Sequence, residues 1–275
     1  MVVSGVLAAI KITAGLMGHS TAVVADGLES TGDMFASGIV LLGLTLAAKP
    51  ADWNHPYGHG RIETVTGLFV GFTLAVAGLA ISANALRTIG AAAPPPAPFV
   101  VWPLIGSAVA KSLLSLVKFH YGRKIRSAAL VADAWNDAVD ILSALAALVA
   151  VSFTILAPHR FASADHWGAF AVGLIVIFTG LRVTRDTTLQ LMDTMPDQES
   201  MVKVRNAALT VPGVRGVEKC YARKTGLQYH VDLHLEVDPE ITVRESHEIA
   251  THVRIVIKET LPWVADVLVH VEPAP

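Results

Sequence analysis

Two stretches of the chain read almost alike at an offset of 107 residues. Val24-Ala25-Asp26-Gly27-Leu28-Glu29-Ser30-Thr31-Gly32-Asp33 recurs as Val131-Ala132-Asp133-Ala134-Trp135-Asn136-Asp137-Ala138-Val139-Asp140. Each carries three oxygen-bearing side chains at i, i+3 and i+7, which share one face of a helix. Glu29 and Asp33 are one turn apart, about 6 Å along the axis, and so are Asn136 and Asp140. Two such faces packed together present Glu29, Asp33, Asn136 and Asp140 to one divalent cation. Three carboxylates around such an ion leave a modest negative charge. Without the ion they repel one another and proton uptake relieves the repulsion, so the same residues can couple metal to protons. Asp26 and Asp133 lie a turn off that centre, where they can line the paths to and from it.

Both copies lie in apolar runs long enough to cross a bilayer, where carboxylates are rare and usually mark an ion or proton pathway. The chain is 53% hydrophobic and 16% charged, with a mean hydropathy of +0.53, too apolar for an ordinary soluble domain. Six runs fit a span of about 20 residues: 2–18, 21–47, 62–88, 99–121, 127–155 and 166–190. The first is short and contains Lys11, the pattern of a tilted span or of one that starts upstream of Met1. It lacks a basic n-region and leads straight into the first acidic motif, so it does not read as a cleaved signal peptide. Lys49-Pro50-Ala51-Asp52 ends the second run, and the prolines of Ala93-Pro94-Pro95-Pro96-Ala97-Pro98 force a loop. Gly27, Ser30, Gly32 and Ala138 let the acidic helices approach closely.

With a cytoplasmic N-terminus, the inner flanks hold Lys49, Arg61, Lys118, Arg123, Lys124, Arg126, Arg182 and Arg185, the outer ones Arg87 and Arg160. The positive-inside rule then places both termini in the cytoplasm and makes the second and fifth spans antiparallel. From about residue 196 the chain reads as a soluble module: helix 199–209, strand 213–222, strictly alternating strand 227–237, helix 245–260 and strand 264–271. The expected fold is an all-α six-helix transmembrane domain followed by an α+β, truncated ferredoxin-like (αββαβ) domain. The division is a transport domain over 1–190, a linker over 191–195 and a cytoplasmic domain over 196–275. A formal charge of −2 argues against a nucleic-acid partner, and one cysteine, Cys220, excludes an intrachain disulfide or a Cys-rich metal site.

Other groups carry weaker signals. Asp52, His55 and His59 can hold one metal together with water, or form a hydrogen-bonded turn in His-Pro-Tyr-Gly-His-Gly. His230, Asp232, His234 and Glu236 alternate by two and share one sheet face, as do His270 and Glu272. That face is either a ligand set or simply solvated. Arg61 and Asp193 flank the third and sixth spans and can form an interdomain ion pair. Lys11 and Lys111 can pair with membrane carboxylates and hold helices together, but two lysines do not account for two matching triads. Lys111 sits mid-span, where it pairs or snorkels.

An acidic pair at i, i+4 in the second helix and a second pair in the fifth resemble the cation diffusion facilitators. The likeness takes in six helices, the loop from Asp52 to Glu63, the run from Ser127 to Asp133 and the His-bearing C-terminal fold. The resemblance implies export of a divalent metal driven by proton influx, a homodimer and a cytoplasmic metal-binding domain, with no enzymatic activity. It further implies an accessory metal site at Asp52, His55 and His59, and ligands at His234, His247, His270 and Glu272. His252 stands outside that set. Zinc members commonly place histidine where this chain has Asn136, and Glu29 also departs from the usual residue. An all-oxygen site suits Mn²⁺ or Fe²⁺ better than Zn²⁺, although raw affinity favours zinc. The competing expectations are the same transporter carrying Zn²⁺, Co²⁺ or Cd²⁺, a metal sensor that does not transport, and a membrane metalloenzyme. The last lacks an HExxH-like helix or a nucleophile motif.

Overall fold

In the computed structural model the described residues are 2–90, 95–124, 128–158, 160–226 and 228–275. Within the helices, the side chains of residues 2–4, 36, 37, 40, 44, 122, 123 and 128–136 are outside the description. The side chains of Arg123, Asp133 and Asn136, and all of Ile125, Arg126 and Ser127, therefore lie outside the described residues.

Six long helices follow the six apolar runs: α1 (Val2–Met17), α2 (Thr21–Ala47), α3 (Arg61–Thr88), α4 (Val101–Lys124), α5 (Ala128–Leu156) and α6 (Ala164–Leu191). Among the described residues, Arg61–Thr88, Pro98–Tyr121, Asp137–Leu156 and Ala164–Leu191 are long and apolar enough to cross a membrane. α1 contributes a shorter apolar stretch, Gly5–Met17. Pro98 opens a 3-10 turn (Pro98–Val100) that leads into α4, as its fixed φ favours.

The chain divides into two compact units, Met1–Val40 with Phe69–Thr184, and Leu41–Leu68 with Arg185–Pro275. The first is a helix assembly whose core is built from small side chains: Ala22, Val23, Ala147, Val151 and Val172, with Leu104 the largest. Without water to drive helices together, close approach and dispersion hold them. Gly71 and Gly78 of α3 face Gly180 and Gly173 of α6. A Cβ at Gly78 would lie 2.7 Å from Ile177 N, so only glycine permits this contact. Phe72, Leu116 and Phe178 are more than 60% exposed, an apolar outer face suited to lipid.

Polar groups staple the helix ends of this unit. The Asp165 carboxylate, at the start of α6, accepts from Ser20 Oγ (2.5 Å), Thr21 N (2.6 Å) and Thr21 Oγ1 (2.7 Å), and so caps α2 from a neighbouring helix. His166 Nδ1 lies 3.0 Å from Thr21 Oγ1 and 3.1 Å from Thr88 Oγ1.

The second unit contains an αββαβ run: α7 (Gln198–Leu209), β1 (Val214–Thr225), β2 (Gln228–Val237), α8 (Val243–Thr260) and β3 (Val264–Pro273). β2 is central, antiparallel to β1 and parallel to β3. Alternation along β2 buries Val231, Leu233, Leu235 and Val237 against Val204 and Ala208 of α7 and Val253 and Ile257 of α8. Both helices therefore cover one face, as in a ferredoxin-like fold with a strand removed. Asp197 caps α7 through Ser200 N at 2.9 Å, and a capping box joins Thr242 and Glu245 at the start of α8. Gly213 (φ 93°) and Gly226 (φ 66°) take left-handed turns at the start of β1 and between β1 and β2.

The loop before α3 lies on the β1–β2 hairpin. A Cβ at Gly60 would come within 2.6 Å of Thr225 O. Tyr57 meets His230 edge to face at 5.8 Å, and the Arg223 guanidinium sits 5.6 Å from the Tyr57 ring centre.

Candidate metal centres

Glu29, Asp33 and Asp140 line one small pocket in the first unit, with Leu74, Val139, Val176 and Thr179. Its free volume of about 10 Å³ is that of one water-sized occupant. Helical periodicity turns Glu29 and Asp33 to the same side of α2, and Asp140 reaches them from α5. Glu29 Oε1 accepts from Ser143 Oγ at 2.7 Å, and Oδ2 of Asp33 is buried with no hydrogen-bond partner among the described residues. Asp140 Oδ2 lies 2.6 Å from Lys111 Nζ. Asp26 is not at this pocket: it pairs with Lys11 at 2.7 Å, both side chains almost fully buried. Asn136, the fourth expected donor, has its side chain outside the described residues.

Asp52, His55 and His59 come together before α3, each offering a ligand atom within 4.8 Å of the others. Asp52 Oδ1 accepts from Asn54 N (2.9 Å) and His55 N (2.8 Å) and lies 2.9 Å from His55 Nδ1. The hydrogen-bonded turn and the ligand cluster are thus the same object. The His55 contact is the main reason the Asp52 carboxyl is held below its ordinary pKa. His59 Nδ1 faces the Pro50 carbonyl at 3.2 Å, which can only accept, so Nδ1 donates there and Nε2 is the nitrogen turned toward Asp52 Oδ2, 3.5 Å away. Two imidazoles and a carboxylate fit a transition metal that takes its remaining position from water.

His234, His270 and Glu272 form the other cluster among the described residues. His234 Nδ1 is 2.6 Å and His270 Nε2 3.6 Å from Glu272 Oε1, and the two rings are 5.0 Å apart. Glu272 is held below the usual carboxylate range, first by its contact with Glu218 and then by His234. This donor set also fits a transition metal. His247 does not join it: it lies on α8 and lines a separate surface pocket with Glu248, Thr251, His252 and Ile255. His230 meets the Tyr57 ring edge to face instead, and Asp232 lies 3.8 Å from Arg223. Arg61 Nη2 donates to Asp193 Oδ1 at 2.9 Å, both side chains about half exposed.

Sequence reasoning missed Glu218, whose Oε2 lies 3.9 Å from His234 Nδ1. Register shifts between Val217 and Cys220 bring it there, and alternation along β1 does not reveal a bulge. It also missed Ser143, although a hydroxyl three residues after Asp140 shares its helix face.

The profile of the cation efflux transmembrane domain matches residues 1–192, and that of the cation efflux protein cytoplasmic domain matches residues 196–274. Manganese efflux system protein MneS of Bacillus subtilis is 31% identical, with 92% of this chain and 87% of that protein covered. Manganese efflux system protein MneP of the same organism is 30% identical, covering 98% and 92%. Metal tolerance protein C1 of Arabidopsis thaliana is 30% identical over 98% of this chain, which spans 60% of that protein's length. Buried carboxylates among apolar helices, two profiles in tandem and likenesses along nearly the whole of this chain converge: the chain belongs to the cation efflux, or cation diffusion facilitator, family of integral membrane divalent-metal transporters.

Proposed function

We propose that the chain exports Mn²⁺ or Fe²⁺ from the cytoplasm in exchange for protons, through Glu29, Asp33, Asn136 and Asp140 between α2 and α5. The observation that carries this reading is the convergence of Glu29, Asp33 and Asp140 on one pocket of single-ion size. Carboxylate and amide oxygens are hard ligands that suit Mn²⁺ or Fe²⁺, and two relatives are manganese efflux proteins by name. Carboxylates that bind metal in one step and protons in the next exchange one for the other without leaving bare charge at membrane depth.

Residues 1–190 form the transport domain, 191–195 the linker and 196–275 a cytoplasmic metal-binding domain that joins two copies into a homodimer. Both termini are cytoplasmic. Metal at Asp52, His55 and His59, and at His234, His270 and Glu272, regulates or braces the second unit. His247 belongs to that ligand set only if it completes the cluster from a second copy. Zinc is the second reading, favoured by the imidazoles of both these clusters.

The test is metal flux in proteoliposomes under an imposed pH gradient, with Mn²⁺, Fe²⁺, Zn²⁺ and Co²⁺. Proton-coupled Mn²⁺ or Fe²⁺ flux that Asp33→Ala/Asp140→Ala abolishes is expected. Flux dominated by Zn²⁺ discards the metal choice, and absence of flux favours a sensor. Asn136→His should raise the ratio of zinc to manganese transport, and an unchanged ratio refutes the ligand-softness argument.

A further inference from the structure

Lys111 of α4 meets Asp140 Oδ2 at 2.6 Å, with less than a tenth of either side chain exposed. The repeat shows that this contact is special. Lys11 donates to Ser30 Oγ at 2.7 Å, and Lys118, 107 positions later, meets Asp137, 107 positions after Ser30, at 2.6 Å. These are one packing contact made twice. The counterpart of Lys111 is Ser4, so the ammonium beside the ligand set belongs to one repeat alone and does not come with the shared helix packing.

Charge is the second argument. Glu29, Asp33 and Asp140 bring three negative charges to the pocket and Lys111 one positive charge, leaving a formal −2 that a divalent cation cancels. Glu29 is bonded to a neutral hydroxyl, and the buried Oδ2 of Asp33 has no hydrogen-bond partner among the described residues. The ammonium on Asp140 Oδ2 and a metal at the pocket draw on the same carboxylate charge, so each weakens the other's hold on Asp140.

The geometry points to Lys111 as a resident counter-cation of the transport site, competing with the metal for Asp140 and setting the charge the metal must match. This rests on the transport-site reading above. When metal arrives the ammonium yields Asp140, and when metal leaves it returns, so the carboxylates are never all uncompensated. A competitor lowers apparent affinity by the fraction of sites it holds.

Mn²⁺ uptake into proteoliposomes at fixed pH tests the idea in the full chain. Lys111→Met removes the competitor at similar length, and the apparent KM for Mn²⁺ should fall roughly threefold or more, with lower maximal flux as release slows. Lys111→Arg keeps the charge and grips a carboxylate through two parallel bonds, so the apparent KM should rise roughly threefold or more. An unchanged KM in either variant overturns the proposal. A variant that carries no Mn²⁺ is read by equilibrium binding of radioactive manganese in detergent: tighter binding for Met or weaker binding for Arg supports the competition, and parental binding overturns it. Asp140→Asn separates the failures. If that variant transports like the parent, the site reading falls and this proposal with it. If it abolishes flux while both Lys111 variants keep the parental KM, only the role of Lys111 falls.

Discussion

His234 Nδ1 lies 2.6 Å from Glu272 Oε1, although His234 is paired in register with His270 and Glu272 with Glu236. Parallel pairing puts alternate residues of β2 and β3 on one face, so the contact runs diagonally and leaves His270 beside both. Glu272→Gln should weaken Zn²⁺ binding by the full chain about 10- to 100-fold at one class of site, measured by calorimetry. The depressed pKa of Glu272 has a second effect. Its contribution to stability is complete above about pH 4.3, the unfolded value, and is lost as pH falls through the lower folded value.

His230 is held below the ordinary histidine value, by burial first and by Arg223 next. Below about pH 6.5 the unfolded chain takes up this proton more readily than the folded strand does. Stability of the β2 region should therefore fall as pH drops from that value toward the lower folded one. Hydrogen exchange of the β2 amides across this range should show the loss, and His230→Gln should flatten it.

Gly60 lies against Thr225 O with no room for a Cβ. Gly60→Ala should lift the loop from the hairpin and separate Tyr57 from His230. Loss of metal binding attributable to Asp52, His55 and His59, with the β2 exchange pattern otherwise unchanged, is the expected result.

Asp193 takes a left-handed backbone (φ 55°) and holds Arg61 at 2.9 Å. The pair is half exposed, so Asp193→Asn, which tolerates that backbone, should change stability by about 1 kcal/mol or less. Asp193→Val should cost more, about 1–3 kcal/mol, through backbone strain. Denaturant titrations of the two variants distinguish the ion pair from the turn.

The helices and strands were legible because their periodicities are strong. Consecutive prolines end the third run before α4 begins, and the alternation from Tyr229 to Val237 appears directly as burial. The spacing of Glu29 and Asp33 placed them on one face of α2, where they share a pocket. Pairings across helices were not legible. Nothing in the spacing assigns Lys11 to Asp26 and Lys111 to Asp140 rather than the reverse, because helix order and rotation decide that. Glu218 depended on a bulge, and the place of His247 on which face of α8 it occupies. The docking of the loop on the hairpin depended on a missing side chain, which no pattern of side chains announces.

The Asp165 carboxylate grips α2 at its start, through Ser20, Thr21 and Ala22. Lys11 ties Asp26 and Ser30 of α2 to α1, so α2 pivots about its cap together with α1. Glu29 and Asp33 stand about 12 and 18 Å from the cap at 1.5 Å per residue, so a tilt of about 10° would carry them about 2 and 3 Å sideways. That is the difference between an oxygen in contact with a cation and one that has let it go, and it is reached without sliding the helix or breaking its cap.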